Sequence, residues 1–179
     1  MLESPETLNN HAVKLAAAGD YEDAIACIRR AITVGGKSHL LWYNLALVYR
    51  DAGNLDKARE AMECACKMNP ASEDALENLA EICLEQGDLD KALAVSLKGI
   101  EVNGKNPRFW NLAGVARGAK GNLEGAMNSL ERALSIFPAY TEALCNLGDV
   151  YAKVGNISAA RECRQRMKPL IEVARKVSL

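Results

Sequence analysis

Apolar side chains recur along the chain at the spacing of one face of a helix. In the segment 42–49 they stand at positions i, i+3, i+4 and i+7, as Trp42, Leu45, Ala46 and Tyr49. This stripe is typical of an amphipathic α-helix that buries one side. Gly53 and Asn54 follow, and these residue types end one helix and cap the start of the next. The pattern predicts two consecutive helices joined by a tight turn.

The same pattern returns every 34 residues. Five glycines have this spacing: Gly19, Gly53, Gly87, Gly121 and Gly155. An Asp or Asn follows each glycine, and an alanine stands five positions past it: Ala24, Ala58, Ala92, Ala126 and Ala160. Glycine tolerates the left-handed backbone that ends a helix, and alanine lets two antiparallel helices approach closely. We predict one all-α domain over 1–179, with copies at 5–38, 39–72, 73–106, 107–140 and 141–174.

The repeat resembles the tetratricopeptide family. Copy two has the spaced signature Trp42, Leu45, Ala46, Tyr49, Gly53, Ala58, Ala65 and Pro70, and copy five has Leu144, Leu147, Gly148, Tyr151, Gly155 and Ala160. The resemblance covers about residues 5–174. It implies a right-handed α-solenoid of tandem helix–turn–helix units, whose first helices line a concave face that binds other proteins. We interpret Trp42 and Trp110, which share one repeat position, as core residues.

Two copies depart from the pattern. Gly114 and Gly118 fall inside the first helix of copy four. Because an interior glycine costs about 1 kcal/mol relative to alanine, we predict that this helix is the least stable. Pro169 falls inside the second helix of copy five. Since proline is well tolerated at the first position of a helix, we predict a separate C-terminal capping helix over 169–178.

An asparagine stands nine residues before the turn glycine in four of the five copies. These residues are Asn10, Asn44, Asn78 and Asn146, with Leu112 in copy four. In the family this position lies on the inner face, and the row resembles the asparagine ladder of O-linked N-acetylglucosamine transferase repeats. A side-chain amide both donates and accepts, so it can hold a peptide group without reading its side chain. The alternative is that each asparagine bonds to a neighbouring helix.

Specificity residues are expected beside this row. Leu40, Tyr43 and Leu47 would form an apolar, aromatic pocket in copy two, and Arg108 and Asn111 are candidates in copy four. The first helix of copy three is acidic, with Asp74, Glu77, Glu81 and Glu85. Like charges four residues apart repel by a few tenths of a kcal/mol. Lys105, Arg108 and Arg117, or a basic ligand, would compensate; the alternative is an ordinary solvated face.

Composition narrows the function classes. The net charge of −1 gives no bias toward nucleic acid or an anionic membrane, and no apolar run approaches the roughly 18–20 residues of a membrane span. Six cysteines without a Cys-x-x-Cys pair, and no secretory signal at the start, favour a reducing cytoplasmic location. Nucleotide-binding and metalloprotease motifs are absent. We expect no enzyme activity, no cofactor and no metal.

The sequence therefore favours an adaptor that holds a protein or peptide partner in its concave groove, with basic residues of the partner facing repeat three. Two alternatives stay open. The chain could self-associate as a homo-oligomeric scaffold, or it could be the targeting subunit of a separate enzyme. The basic stretch near the C-terminus, which includes Arg161, Arg164 and Arg166, is interpreted as a solvated helix face because no aromatic residues are interleaved with it.

Overall fold

The chain is entirely α-helical wherever the structure describes it. This computed structural model describes the backbone of residues 4–35 and 38–177 and the side chains up to residue 169. Over those ranges it has ten helices and no strand. They are α1 Pro5–Ala18, α2 Tyr21–Gly35, α3 His39–Asp51, α4 Leu55–Met68, α5 Glu73–Glu85, α6 Leu89–Val102, α7 Pro107–Ala119, α8 Leu123–Ile136, α9 Thr141–Lys153 and α10 Ile157–Val177. None of these helices is both long and apolar enough to cross a lipid bilayer.

The turn inside each copy follows the predicted chemistry. All five turn glycines have positive φ angles, between 75° and 88°, a region that disfavours residues with a Cβ. The residue after the glycine then caps the second helix. The Asn54 Oδ1 accepts from the backbone N–H of Lys57 at 3.2 Å, and Asn122 accepts from Gly125 at 2.9 Å. The predicted turns and caps are confirmed at these positions.

The helices fall into two compact units, Met1–Gly87 and Asp88–Leu179. Unit 1 contains α1 to α5 and unit 2 contains α6 to α10, and within each unit every helix packs against the next one along the chain. First helices also contact each other, α1 with α3 and α7 with α9. The alanines five positions past the turn glycines are buried, as their predicted role at the helix contacts requires. The single-domain boundary stays a prediction.

Two glycines of unit 2, Gly99 and Gly114, pack directly against side chains of a neighbouring helix. A Cβ added to Gly99 of α6 would lie 2.2 Å from the Cδ1 of Phe109, which is fully buried. A Cβ added to Gly114 of α7 would lie 2.6 Å from the Cγ of Leu130. The low stability predicted for α7 stays a prediction, but Gly114 has a packing reason to be a glycine.

The predicted separate capping helix is wrong where it can be checked. Helix α10 runs without a break from Ile157 to Val177 and contains Pro169 in its interior. Lys168 would have to be the N-cap of a new helix, and lysine is not a capping residue. The apolar positions also keep one helical phase through the proline, from Cys163 to Met167 to Leu170. Residue 178 and the burial of the side chains from Leu170 onward lie outside what is described.

The close approach at Gly99 gives the first prediction. Gly99→Ala is expected to lower the free energy of unfolding by about 1–3 kcal/mol, the usual cost of overpacking a filled core. Gly118→Ala is the matched control, because its new Cβ would lie 3.5 Å from that of Ala126, an ordinary contact. Both substitutions gain the same helix propensity. Urea unfolding curves should separate them, and equal midpoints for the two variants would contradict the packing account.

Candidate functional site

The polar face of unit 1 is formed by first helices of the repeat. We define it by eight polar side chains of α1, α3 and α5: Asn9, Tyr43, Asn44, Arg50, Asp74, Asn78, Glu81 and Glu85. The Nδ2 of Asn78 donates to the Oη of Tyr43 at 3.1 Å and to the backbone oxygen of Asp74 at 2.9 Å. Its Oδ1 accepts from Arg50 Nη1 at 3.2 Å. Asn78 therefore ties α5 to two residues of α3.

The asparagine row is engaged between neighbouring helices. The Nδ2 of Asn44 donates to the Oδ1 of Asn9 at 2.8 Å in unit 1, and the Nδ2 of Asn146 donates to Asn111 at 2.9 Å in unit 2. This is the structural role that the sequence left open as an alternative. It uses one amide hydrogen of each donor; the side-chain oxygens of Asn44 and Asn146 accept nothing from the described residues. Asn10, at the start of the row, is exposed. Ligand contact by the row stays a prediction.

Arg50 is the residue that sequence reasoning missed. Its Nη1 lies 3.1 Å from Glu81 Oε2, and its Nε lies 3.7 Å from Glu85 Oε1. It is thus a cation that stands against the acidic helix α5 and that the sequence analysis did not name. A signal was available in the sequence. Glu81 comes 31 positions after Arg50, about one helical turn less than the 34-residue repeat, so the two residues occupy neighbouring turns of successive first helices. Being partly exposed, such pairs contribute little to stability.

The negative charges of α5 reach Tyr43 of α3. Burial raises the pKa of Tyr43, the nearby Asp74 carboxylate raises it further, and Glu77 and Glu81 add to the effect, while the hydrogen bond from Asn78 works against it. Asp74 is exposed, whereas Glu77 is only 8% exposed. The carboxylates of α5 thus disfavour ionisation of the Tyr43 hydroxyl on α3.

The other candidates are distributed differently. Leu40 is 57% exposed, while Tyr43 and Leu47 are half-buried, so the three predicted pocket residues differ in their access to solvent. In unit 2, Asn111 is buried beneath Asn146 and Arg108 is exposed. Arg117, one of the cations expected to compensate α5, donates to Ser129 of α8.

No metal-binding geometry is present in the part of the chain whose side chains are described. There, no group of three or more His, Cys, Asp or Glu side chains is arranged to hold an ion. What the polar face offers is amides, a phenol and carboxylates on rigid helices. Such groups form hydrogen bonds and ion pairs with a ligand.

Models of the tetratricopeptide repeat match residues 10–73 and 49–115, and a model of the TPR repeat matches residues 116–155. The chain belongs to the tetratricopeptide repeat family. A curated relative is general transcription factor 3C polypeptide 3 of Homo sapiens, with 26% identity over 139 residues. The match takes in 76% of this chain but 16% of that protein, so the chain spans a small part of the relative's length.

Solved tetratricopeptide structures share the fold. The crystal structure of MamA has 19% identity and a TM-score of 0.82, over 92% of this chain and 96% of that one. YrrB, a TPR protein with an unusual peptide-binding site, has 20% identity and a TM-score of 0.75, over 97% and 93%. At these identities the likeness concerns the fold, and it confirms the predicted all-α solenoid class.

The raised pKa of Tyr43 gives the second prediction. Replacing Asp74 with Asn removes a negative charge, so the pKa of Tyr43 should fall toward its ordinary value of 10.0. Because folded Tyr43 holds its proton more tightly than the unfolded residue, its contribution to stability is complete below pH 10 and is lost as the pH rises through the folded-state pKa. NMR titration of ¹³C-labelled tyrosine, assigned with Tyr43→Phe, measures the shift. Asp51→Asn, which removes an exposed charge elsewhere on α3, should leave the pKa of Tyr43 unchanged; an equal fall in both variants would contradict the assignment.

Proposed function

We propose that this chain is a protein-binding adaptor, and that the polar face of unit 1 holds an extended segment of a partner that carries a basic residue. The observation that carries the proposal is the ladder amide of Asn44, which uses one of its two hydrogens within the fold, together with the exposed carboxylate of Asp74, whose charge acts on the neighbouring Tyr43. All of these groups are mounted on helices that are fixed by side-chain bonds to their neighbours. The proposal makes the chain a binding component without catalysis of its own, in the cytoplasm.

Backbone recognition would come from the amides. The side-chain oxygen of Asn44 has no hydrogen bond from the described residues and can accept a peptide N–H. A bound peptide carbonyl can accept the second Nδ2 hydrogen of the same residue. Each such bond contributes roughly 0.5–1.5 kcal/mol net, so a segment must engage several groups in series. Main-chain bonds then supply affinity while flanking side chains supply choice.

Charge would determine which partner segments bind. Arg50 offsets part of the negative charge of Glu81 and Glu85, but the exposed Asp74 has no side-chain hydrogen bond or ion pair with the described residues. A Lys or Arg of the partner can pair with that carboxylate near the hydroxyl of Tyr43. The fold it shares with YrrB, which has a peptide-binding site, supports a peptide ligand. A short segment buries less than a standard interface, and an affinity near micromolar is expected.

Selection of peptides tests the charge preference. Decapeptides selected from a randomised display library on the wild-type protein should be enriched in Lys and Arg. Selection on Asp74→Asn should lose most of that enrichment, because the pairing carboxylate is gone. Asp149→Asn, which removes an exposed charge on α9 of unit 2, should keep it. Equal enrichment on Asp74→Asn and on wild type would contradict the proposed role of Asp74.

Replacement of the two amides tests backbone recognition. The double variant Asn44→Ala, Asn78→Ala should bind the best selected peptide about tenfold more weakly or worse, since the two proposed peptide bonds of Asn44 are lost and Tyr43 loses the hydrogen bond from Asn78. Isothermal titration calorimetry measures the affinity, and far-ultraviolet circular dichroism checks that the helices remain. Wild-type affinity in a fully helical double variant would eliminate this face as the peptide site.

A further inference from the structure

Unit 1 has a second recess, bounded by helices α2, α3 and α4. It is a cavity of about 480 Å³, within the range of ligand-binding clefts. Its apolar wall includes Trp42, Leu45 and Tyr49 of α3, and its charged lining residues are Arg29, Lys57 and Glu60. We call this the rear groove. On α3 its residues follow one helical stripe, while the polar face uses another, so α3 separates the two surfaces.

An equivalent recess in unit 2 shows what is unusual about the rear groove. It lies three repeats further along the chain, has a cavity of about 350 Å³ and is lined at matching repeat positions. There Tyr151 donates its hydroxyl hydrogen to Glu131 at 2.7 Å, so the charged group at that position is already bonded. In the rear groove the matching position is Arg29, which is exposed and whose guanidinium has no partner among the described side chains. The matching Tyr49 has Lys57 Nζ at 5.7 Å from its ring instead.

The tryptophan of the rear groove also lacks a cover that its counterpart has. In unit 2 the Cζ of Arg132 lies 5.9 Å from the ring centroid of Trp110. Two repeats earlier, the same two positions hold Trp42 and Cys64. A short thiol therefore stands where a guanidinium would cover the ring. The interpretation of Trp42 as a core residue is wrong, because the side chain is half-buried and lines the cavity.

We propose that the rear groove binds an acidic peptide segment of a second partner, which inserts one aromatic or large aliphatic side chain against Trp42 and Tyr49. Carboxylates that flank the inserted side chain pair with Arg29 and Lys57. This goes beyond the proposed function, because it uses another surface of unit 1 and a ligand of opposite charge. A chain with both sites would link a basic segment on one face to an acidic segment on the other.

Charge complementarity selects the acidic ligand. The lining carries two cations against the single carboxylate of Glu60. A guanidinium without a partner is suited to a carboxylate, which it can bind through two parallel hydrogen bonds. Glu60 limits where those carboxylates can lie, since it repels one placed directly beside it. The aromatic wall, formed by the half-buried Trp42 and the buried Tyr49, favours a large apolar side chain, which loses contact with water on insertion.

Filling the groove from within gives the first test. The probe is the peptide Glu-Asp-Phe-Leu-Asp-Glu-amide, with fluorescein attached to its N-terminus through an aminohexanoyl spacer, and its binding is measured by fluorescence anisotropy. Cys64→Arg places at this position the side chain that covers Trp110, and should weaken probe binding about tenfold or more. The matched control is Cys145→Arg, at an exposed cysteine of α9, which should bind as wild type does. General attraction to positive charge would instead tighten binding in both variants, and that result would overturn the proposal.

Charge reversal gives the second test, at the exposed side chain of Arg29. Arg29→Glu should weaken binding of the same probe about tenfold or more, and the probe with Lys in place of every Glu and Asp should bind wild type at least tenfold more weakly. The variant Asn44→Ala, Asn78→Ala should bind the acidic probe normally, so this proposal and the proposed function can fail separately. No saturable binding to wild type at millimolar concentrations, unchanged binding by Arg29→Glu, or equal binding of the basic probe would each overturn it.

Discussion

The left-handed turn at each repeat glycine is the constraint on which the other features depend. A positive φ at that residue lets one helix end and the next begin after only two or three residues, and the following Asn or Asp satisfies amide hydrogens that the new helix would leave without a partner. The turn brings the two helices into close antiparallel contact. Small side chains at the contact, such as the fully buried Ala58 and Ala126, permit this approach. With this geometry repeated, residues at one repeat position recur on one side of each unit, and a face for binding can be built from them.

Much of the fold could be predicted because its determinants are local. The turn glycine, the cap beside it and the apolar stripe before it each act within a few residues, so they are legible in the sequence. Pro169 shows where a local rule fails: proline is suited to a helix start, yet the continuous apolar phase around it and the lack of a cap at Lys168 outweigh that preference. The asparagine row was also predicted, but whether its amides face a ligand or a neighbour depends on the spacing of helices that are 35 residues apart.

The site was harder to predict from the sequence, because its contacts join residues that are far apart in the chain. The contact of Arg50 with Glu81 joins two first helices at different repeat positions, so alignment of the copies does not bring these residues together. Trp42 and Trp110 share a position and were given the same role, but the covering side chain differs, being an arginine near one and Cys64 near the other. In a repeat protein the shared positions determine the scaffold. Function is better sought where one copy differs from the others. Examples are the acidic helix α5 and Trp42, which has Cys64 where Trp110 has Arg132.

The central claim is that the polar face of unit 1 binds a basic peptide through its ladder amides. The most direct measurement is ¹⁵N NMR of the asparagine side-chain NH₂ groups during titration with a selected basic peptide. The account predicts that the Asn44 and Asn78 side-chain signals shift saturably, with the same dissociation constant as the peptide itself, while those of capping residues such as Asn122 stay fixed. Shifts that spare Asn44 and Asn78 while the peptide binds would contradict it.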